Sequence, residues 1–240
     1  MDILFWTKLN PNISVGSVNR RFFNQYYYKL EIHVTGSSFL RHPDEPIDQQ
    51  IATRNRMVNV NYGGSWRRGF QSPNLEEIRL LERIKLFKAK YEDQLKFRIE
   101  EPNLQVYAED EDILYKFAQA ICDADNSHLT TISRPKTDKI LSLLKQGYTV
   151  TKKDMEYPFK VMVREGRYSK DIKEQLLKYL QGIGDDQAYL PPHFVESMSK
   201  TYESVWNIYF YVRDRSLLTM ISLIHPGFVR TVEEFQQVDK

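Results

Sequence analysis

From Gln25 to Val34 the chain alternates with a period of two. Tyr26, Tyr28, Leu30, Ile32 and Val34 fall on one face, and Tyr27, Lys29, Glu31 and His33 on the other. That is the pattern of a half-buried strand. A helical period follows after an interval: Leu80, Ile84, Phe87 and Tyr91 form a stripe, with Ser72 the expected N-cap, Pro73 at the first helical position and Glu76 and Glu77 in the first turn. Two short strand-like runs, Leu95 to Glu100 and Leu104 to Ala108, hinge at Pro102-Asn103 as a hairpin. Asp110 caps a second helix striped by Ile113, Phe117 and Ile121, and His128 to Ser133 supplies a last strand. Strand, helix, hairpin, helix, strand is the βαββαβ order of ferredoxin-like folds, a plan that hosts many unrelated activities.

The remainder of the chain reads as a second round of the same elements. A helix from Thr137 to Gln146, closed by Gly147, serves as connector. Strands are expected at Val150 to Lys153 and Phe159 to Arg164, then a helix capped by Ser169 and striped by Ile172, Leu176, Tyr179 and Ile183. A helix from His193 to Tyr202 precedes two expected strands, Val205 to Val212 and Leu217 to Ile224, around a turn at Arg213 to Ser216. Thr231 to Val238 reads as a final turn of helix. The expected fold class is α+β, with two ferredoxin-like sheet-and-helix halves, 1–135 and 136–240. The first half carries a long Arg/Gly-rich insertion loop, 36–72, after its first strand.

Composition narrows the function classes. Hydrophobic content of 41% with 28% charged residues is that of a folded chain rather than a disordered one. A lone cysteine, Cys122, cannot form an internal disulfide, and no apolar run reaches the length of a signal core or a membrane span. A cytoplasmic, non-membrane protein is expected. The net charge of +2 is too small to attract a polyanion by itself, so any such attraction has to come from local clustering.

Two clusters qualify. The stretch TRNRMVNVNYGGSWRRGFQS, residues 53–72, contains no acid and holds Arg54, Arg56, Arg67 and Arg68 beside Tyr62 and Trp66. Guanidinium forks match phosphate geometry, glycines allow close backbone approach, and aromatic faces stack on bases. The second cluster follows from strand alternation. With Phe159, Val161, Val163, Trp206, Ile208, Phe210 and Val212 under the helices, Lys160, Met162, Arg164, Tyr209, Tyr211 and Arg213 share the opposite face. The first half repeats this pattern through Tyr27, Lys29, His33, Lys96, Arg98 and Tyr107. Rings interleaved with cations are what holds single-stranded nucleic acid on a sheet.

The reading is therefore a non-enzymatic nucleic-acid-binding protein for RNA or single-stranded DNA. Trp, Tyr and Arg also dominate protein interfaces, so a structural subunit of a complex or a homo-oligomer is the alternative. A third reading is metal-independent RNA cleavage with His33 as general base. No cofactor or metal is expected: the five histidines, His33, His42, His128, His193 and His225, lack ligand spacing. The acids Glu109 to Asp112 suit a helix N-terminus, and Asp123 and Asp125 a following turn. Phosphate-loop, dinucleotide and nucleophile-elbow motifs do not occur.

Two tandem ferredoxin-like halves resemble the arrangement of the CRISPR RNA-processing proteins. The resemblance rests on element order, and it implies RNA as the class of ligand. The glycine-rich loop those proteins carry near the C-terminus has no counterpart here, where Gly227 is the single glycine of the last fifty residues. No residue roles carry over.

Overall fold

The computed structural model describes residues 3–59, 72–122, 127–201 and 204–238. The chain divides into two units, Met1–Thr137 and Asp138–Lys240, each built on a five-stranded mixed sheet. Unit 1 runs α1 (Ile3–Leu9), β1 (Ser14–Ser17), β2 (Tyr28–His33), a 3₁₀ helix (Ser37–Arg41), α2 (Ile47–Asn59), α3 (Leu75–Lys90), β3 (Leu95–Glu100), β4 (Asn103–Ala108), α4 (Glu111–Ile121) and β5 (Leu129–Arg134). Unit 2 runs α5 (Asp138–Gln146), β6 (Thr149–Thr151), β7 (Phe159–Val163), α6 (Lys170–Gly182), β8 (Ala188–Tyr189), α7 (Pro192–Ser199), β9 (Tyr209–Val212), α8 (Leu217–Ile224) and β10 (Val229–Gln237).

The two sheets share one topology. Their orders are β1-β5-β2-β4-β3 and β6-β10-β7-β9-β8. The last four strands of each list form the antiparallel βαββαβ sheet. Each unit also opens with a helix and a short strand, and that strand joins the edge parallel to the unit's last strand. The repeated plan is therefore larger than the expected one: αβ followed by βαββαβ. Insertions break the symmetry at different joints, the 3₁₀ helix and α2 between β2 and α3 in unit 1, and α7 between β8 and β9 in unit 2.

Several expected elements differ. Asn74, not Ser72, caps α3: its side chain accepts from the Glu77 N–H at 2.9 Å, and the Glu77 carboxylate accepts from the Asn74 N–H at 2.8 Å. This reciprocal capping box was present in the sequence as Asn-x-x-Glu. The segment 217–224 is a helix: with only Thr219 and Ser222 breaking an otherwise apolar segment the period is not decisive, and Leu218 and Ile221, three apart, are the buried pair. Residues 229–237 are a strand despite the helix-favouring Glu-Glu and Gln-Gln, because pairing with β7 and β6 overrides local preference. Asn207 has φ +48°, which interrupts the alternation before β9, so Trp206 is 66% exposed instead of lying under the helices. The expected loop 36–72 contains the 3₁₀ helix and α2, and its residues 60–71 lie outside the described residues.

The core of unit 2 joins Val161, Val163, Phe210 and Val212 of the sheet to Leu176 and Leu180 of α6, Phe194 of α7 and Ile221 of α8. Burying Phe194, Phe210 and Phe228 contributes roughly 2–3 kcal/mol each. The exposed pairs Lys170–Glu174 and Lys200–Glu196 contribute at most about 0.5 kcal/mol each, so packing holds these helices. Polar anchors supplement it. Lys173, 1% exposed, donates to the Lys200 carbonyl at 2.7 Å and the Ser197 carbonyl at 3.5 Å, which satisfies the last turn of α7. In unit 1, Glu101 accepts from the Gly36 N–H, the Ser37 hydroxyl and the Ser38 N–H, tying the β3–β4 hairpin to the 3₁₀ helix. Glu111, 4% exposed, accepts from the Trp6 indole at 2.9 Å and pairs with Arg134 at 3.3 Å, which fixes α1 against α4 and β5.

The capping carboxylate gives a pH dependence. Burial pushes the Glu77 pKa up, but hydrogen bonds from the Thr35 side chain and from the Asn74 and Thr35 backbone, with His128 nearby, outweigh it and hold the group below its ordinary 4.5. A carboxyl depressed on folding stabilises the fold above its unfolded pKa, and the contribution disappears as pH falls through the lower folded value. Urea midpoints are expected to drop as pH is lowered from about 5 to about 3. Glu77→Gln should flatten that part of the decline, and an unchanged slope in the variant would contradict this role.

Candidate nucleic-acid interface

Strand alternation in unit 2 puts the helix-packed residues on one side and a tyrosine-rich set on the other. The register builds two rows across that second side. Glu233 of β10, Lys160 of β7, Tyr211 of β9 and Tyr189 of β8 are successive cross-strand partners. Thr231, Met162 and Tyr209 form the next row.

The rings lie close together. Tyr189 and Tyr211 have centroids 6.1 Å apart, Tyr209 and Tyr211 5.6 Å at 86°, and Tyr157 and Tyr189 6.1 Å. His193, at the start of α7, sits edge-on to Tyr209 at 4.7 Å. Lys160 Nζ lies 4.2 Å over the Tyr209 ring, a cation–π geometry. Tyr189 is 48% exposed. Burial pushes the Tyr211 phenol above its ordinary value of 10, helped by Tyr209, Glu233 and Tyr189, so it is neutral at physiological pH. Arg213 stands 5.8 Å from the Tyr157 ring and pairs with Glu156 at 3.2 Å; both side chains are about half exposed or more, so the pair is weak.

Of the residues expected from sequence, Lys160, Tyr209, Tyr211 and Arg213 are thus brought together. Arg164 follows the opposite end of β7, about 20 Å from Arg213 along the strands. Tyr157, Tyr189, His193 and Glu233 were missed. The strand Ala188–Tyr189 is too short to show a period, and Glu233 lies in a segment read as helix.

The arginine-rich stretch behaves differently. Arg54 and Arg56 stand on α2, not on a loop. Arg54 donates to the Ser38 hydroxyl at 3.0 Å and lies 5.7 Å from the Phe39 ring. It lines an open cleft of about 360 Å³ together with Arg41, His42, Glu45 and Gln50. Arg56 is exposed on the same helix. Tyr62, Trp66, Arg67 and Arg68 lie outside the described residues, as do Asp123 and Asp125. Among the described residues no group of His, Cys, Asp or Glu is arranged to hold a metal, and no helix is long and apolar enough to cross a membrane.

The corresponding face of unit 1 is covered at Tyr107. Phe22, Phe23 and Tyr26, from the connection between β1 and β2, place their rings 5.2, 4.9 and 6.4 Å from Tyr107, which is left 3% exposed. Phe23 and Asn24 take positive φ to make that turn, bridged by Phe22 and Tyr26. Lys29 lies over Phe22 and pairs with Glu31 at 2.6 Å, Lys96 lies over Phe23, and Arg98 pairs with Glu100. Of the second face expected through Tyr27, Lys29, His33, Lys96, Arg98 and Tyr107, the residues His33, Lys96 and Arg98 are exposed, Tyr27 and Lys29 are half-buried, and Tyr107 is buried and so offers no stacking surface. In unit 2 the equivalent connection, between β6 and β7, brings Tyr157 beside Tyr189 and leaves Tyr189 accessible.

The covering rings are open to test. Burial raises the Tyr107 pKa above 10, with Arg98 offsetting part of the rise. Replacing Phe22 and Phe23 by alanine should move that ionisation back toward 10, read by NMR of ¹³C-labelled tyrosine with Tyr107→Phe for assignment. An unmoved Tyr107 would mean these rings do not shield it. Compared with protein-family models, curated proteins and solved structures, the chain matches none.

Proposed function

We propose that the chain is a non-enzymatic nucleic-acid-binding protein whose second unit holds single-stranded RNA across its tyrosine face. The observation that supports this reading best is the adjoining set Tyr189, Tyr211 and Tyr209 on one accessible side of a sheet, with Lys160 among them. Each ring offers a flat apolar surface to a base, worth about 1–3 kcal/mol per stack. Arg213 and Arg164 stand at the two ends of this face, and the ~20 Å between them suits a strand of about three nucleotides. Phosphates would meet the guanidinium groups at the ends while bases lie on the rings between.

One set of observations favours protein association instead. Trp206 is 66% exposed, and Met220 and Leu223, three apart on α8, are 48% and 72% exposed, apolar groups that a partner or a second copy would cover. Light scattering separates the readings, since RNA binding by a monomer does not require this surface.

Fluorescence anisotropy with a labelled single-stranded RNA tests the proposal. Affinity should fall steeply between 50 and about 200 mM salt, because neutralised phosphates release counterions. Tyr211→Ala and Tyr189→Ala should each weaken binding about 5- to 100-fold, and Arg213→Ala should lower the salt slope by about one. A DNA strand of the same sequence shows whether the 2′-hydroxyl contributes. Absence of binding at low salt, or an affinity indifferent to salt, would overturn the proposal.

A further inference from the structure

Glu233 is out of place on a face meant for a polyanion. It occupies the row of Lys160, Tyr211 and Tyr189, two strands from Tyr211, and it is near enough to raise the Tyr211 pKa. Lys160 is its direct cross-strand neighbour, yet the ammonium group lies over Tyr209. Among the described residues, no hydrogen bond or ion pair is made by the Glu233 carboxylate. A half-buried, acceptor-only group beside stacking rings repels phosphate and attracts N–H donors.

Base chemistry narrows the donor. Adenine and cytosine each present one amino group beside a ring nitrogen that is itself an acceptor. Uracil presents one N–H between two carbonyl oxygens. Guanine presents N1–H and N2–H side by side, which matches the two oxygens of a carboxylate in the same forked way that arginine does. Base edges are read in this manner on single strands because they are not occupied by pairing. Two strand spacings, about 10 Å, separate Tyr211 from Glu233 across Lys160, a span that a purine stacked on Tyr211 can bridge with its edge, and the neutral Tyr211 phenol adds no repulsion.

We infer that Glu233 makes the tyrosine face selective for guanine, with the base stacked on Tyr211 and its Watson–Crick edge on the Glu233 carboxylate. The inference rests on the proposed RNA-binding reading and adds the base that is read.

The test uses the full chain and labelled uridine strands carrying one central guanosine, inosine or adenosine, in RNA and DNA forms. Inosine lacks only the N2 amino group. The guanosine strand should bind roughly tenfold more tightly than the inosine strand, the value of one charge-assisted hydrogen bond, and more tightly than the adenosine strand. Glu233→Gln should erase that preference while binding the all-uridine strand at least as tightly as the parent, since a charge that repels phosphate is gone. Tyr211→Ala should weaken every strand. Equal affinity for guanosine and inosine strands, or a preference that survives Glu233→Gln, overturns the inference and leaves RNA binding standing. If no strand binds at all, the proposed function fails and the inference with it.

Discussion

Each sheet can bury only one of its sides with its own helices, and the side-chain period of two makes that choice for a whole strand at once. With Val161 and Val163 in the core, Lys160 and Met162 have to lie opposite. A slip of one residue in β7 would bury a lysine and expose two valines, at a cost of several kcal/mol. The register is therefore secured by the core, and the composition of the other side is a consequence that the sequence can tune without disturbing the fold.

What then covers the second side distinguishes the two units. Unit 1 spends its β1–β2 connection on part of it, with Phe22, Phe23 and Tyr26 packed tilted or edge-on against Tyr107 and Lys29 and Lys96 lying over Phe22 and Phe23. Unit 2 has the same connection at the same place in the topology, and it supplies Tyr157 beside Tyr189. One copy of the plan buries its central tyrosine and the other leaves Tyr189 within reach of solvent. Covered tyrosines and accessible tyrosines thus arise from the same architecture through the residues of a single connection.

Much of this was legible in the sequence where local pattern and tertiary demand agree. The strand at Tyr28–His33, the helices over Leu75–Lys90, Glu111–Ile121 and Lys170–Gly182, and the common face of Lys160 and Tyr211 follow from unbroken periods. Failures fall where those demands conflict or the signal is too short. Residues 217–224 are apolar except for Thr219 and Ser222, residues 229–237 carry helix-favouring side chains into a strand paired on both sides, and Ala188–Tyr189 is two residues long. The site suffered accordingly: Glu233 and Tyr189 lie on those last two strands. The covering of Tyr107 was illegible for a different reason, because Phe22 and Phe23 reach it only through a turn with positive φ at Phe23 and Asn24, which no period announces.

The position of β10 bears on how the molecule is made. It is the last strand of its unit in sequence, yet it sits between β6 and β7 and bonds to both. Until it leaves the ribosome, β6 has no neighbour in its sheet and β7 is an unprotected edge, so a growing chain passes through a stage with two open strand edges. Unit 1 meets the same problem earlier and ends it at β5, which bonds to both β1 and β2 while unit 2 is still being synthesised. Each sheet is thereby completed only by the arrival of a final strand, and in unit 2 that strand also brings Glu233 to the side of the tyrosines.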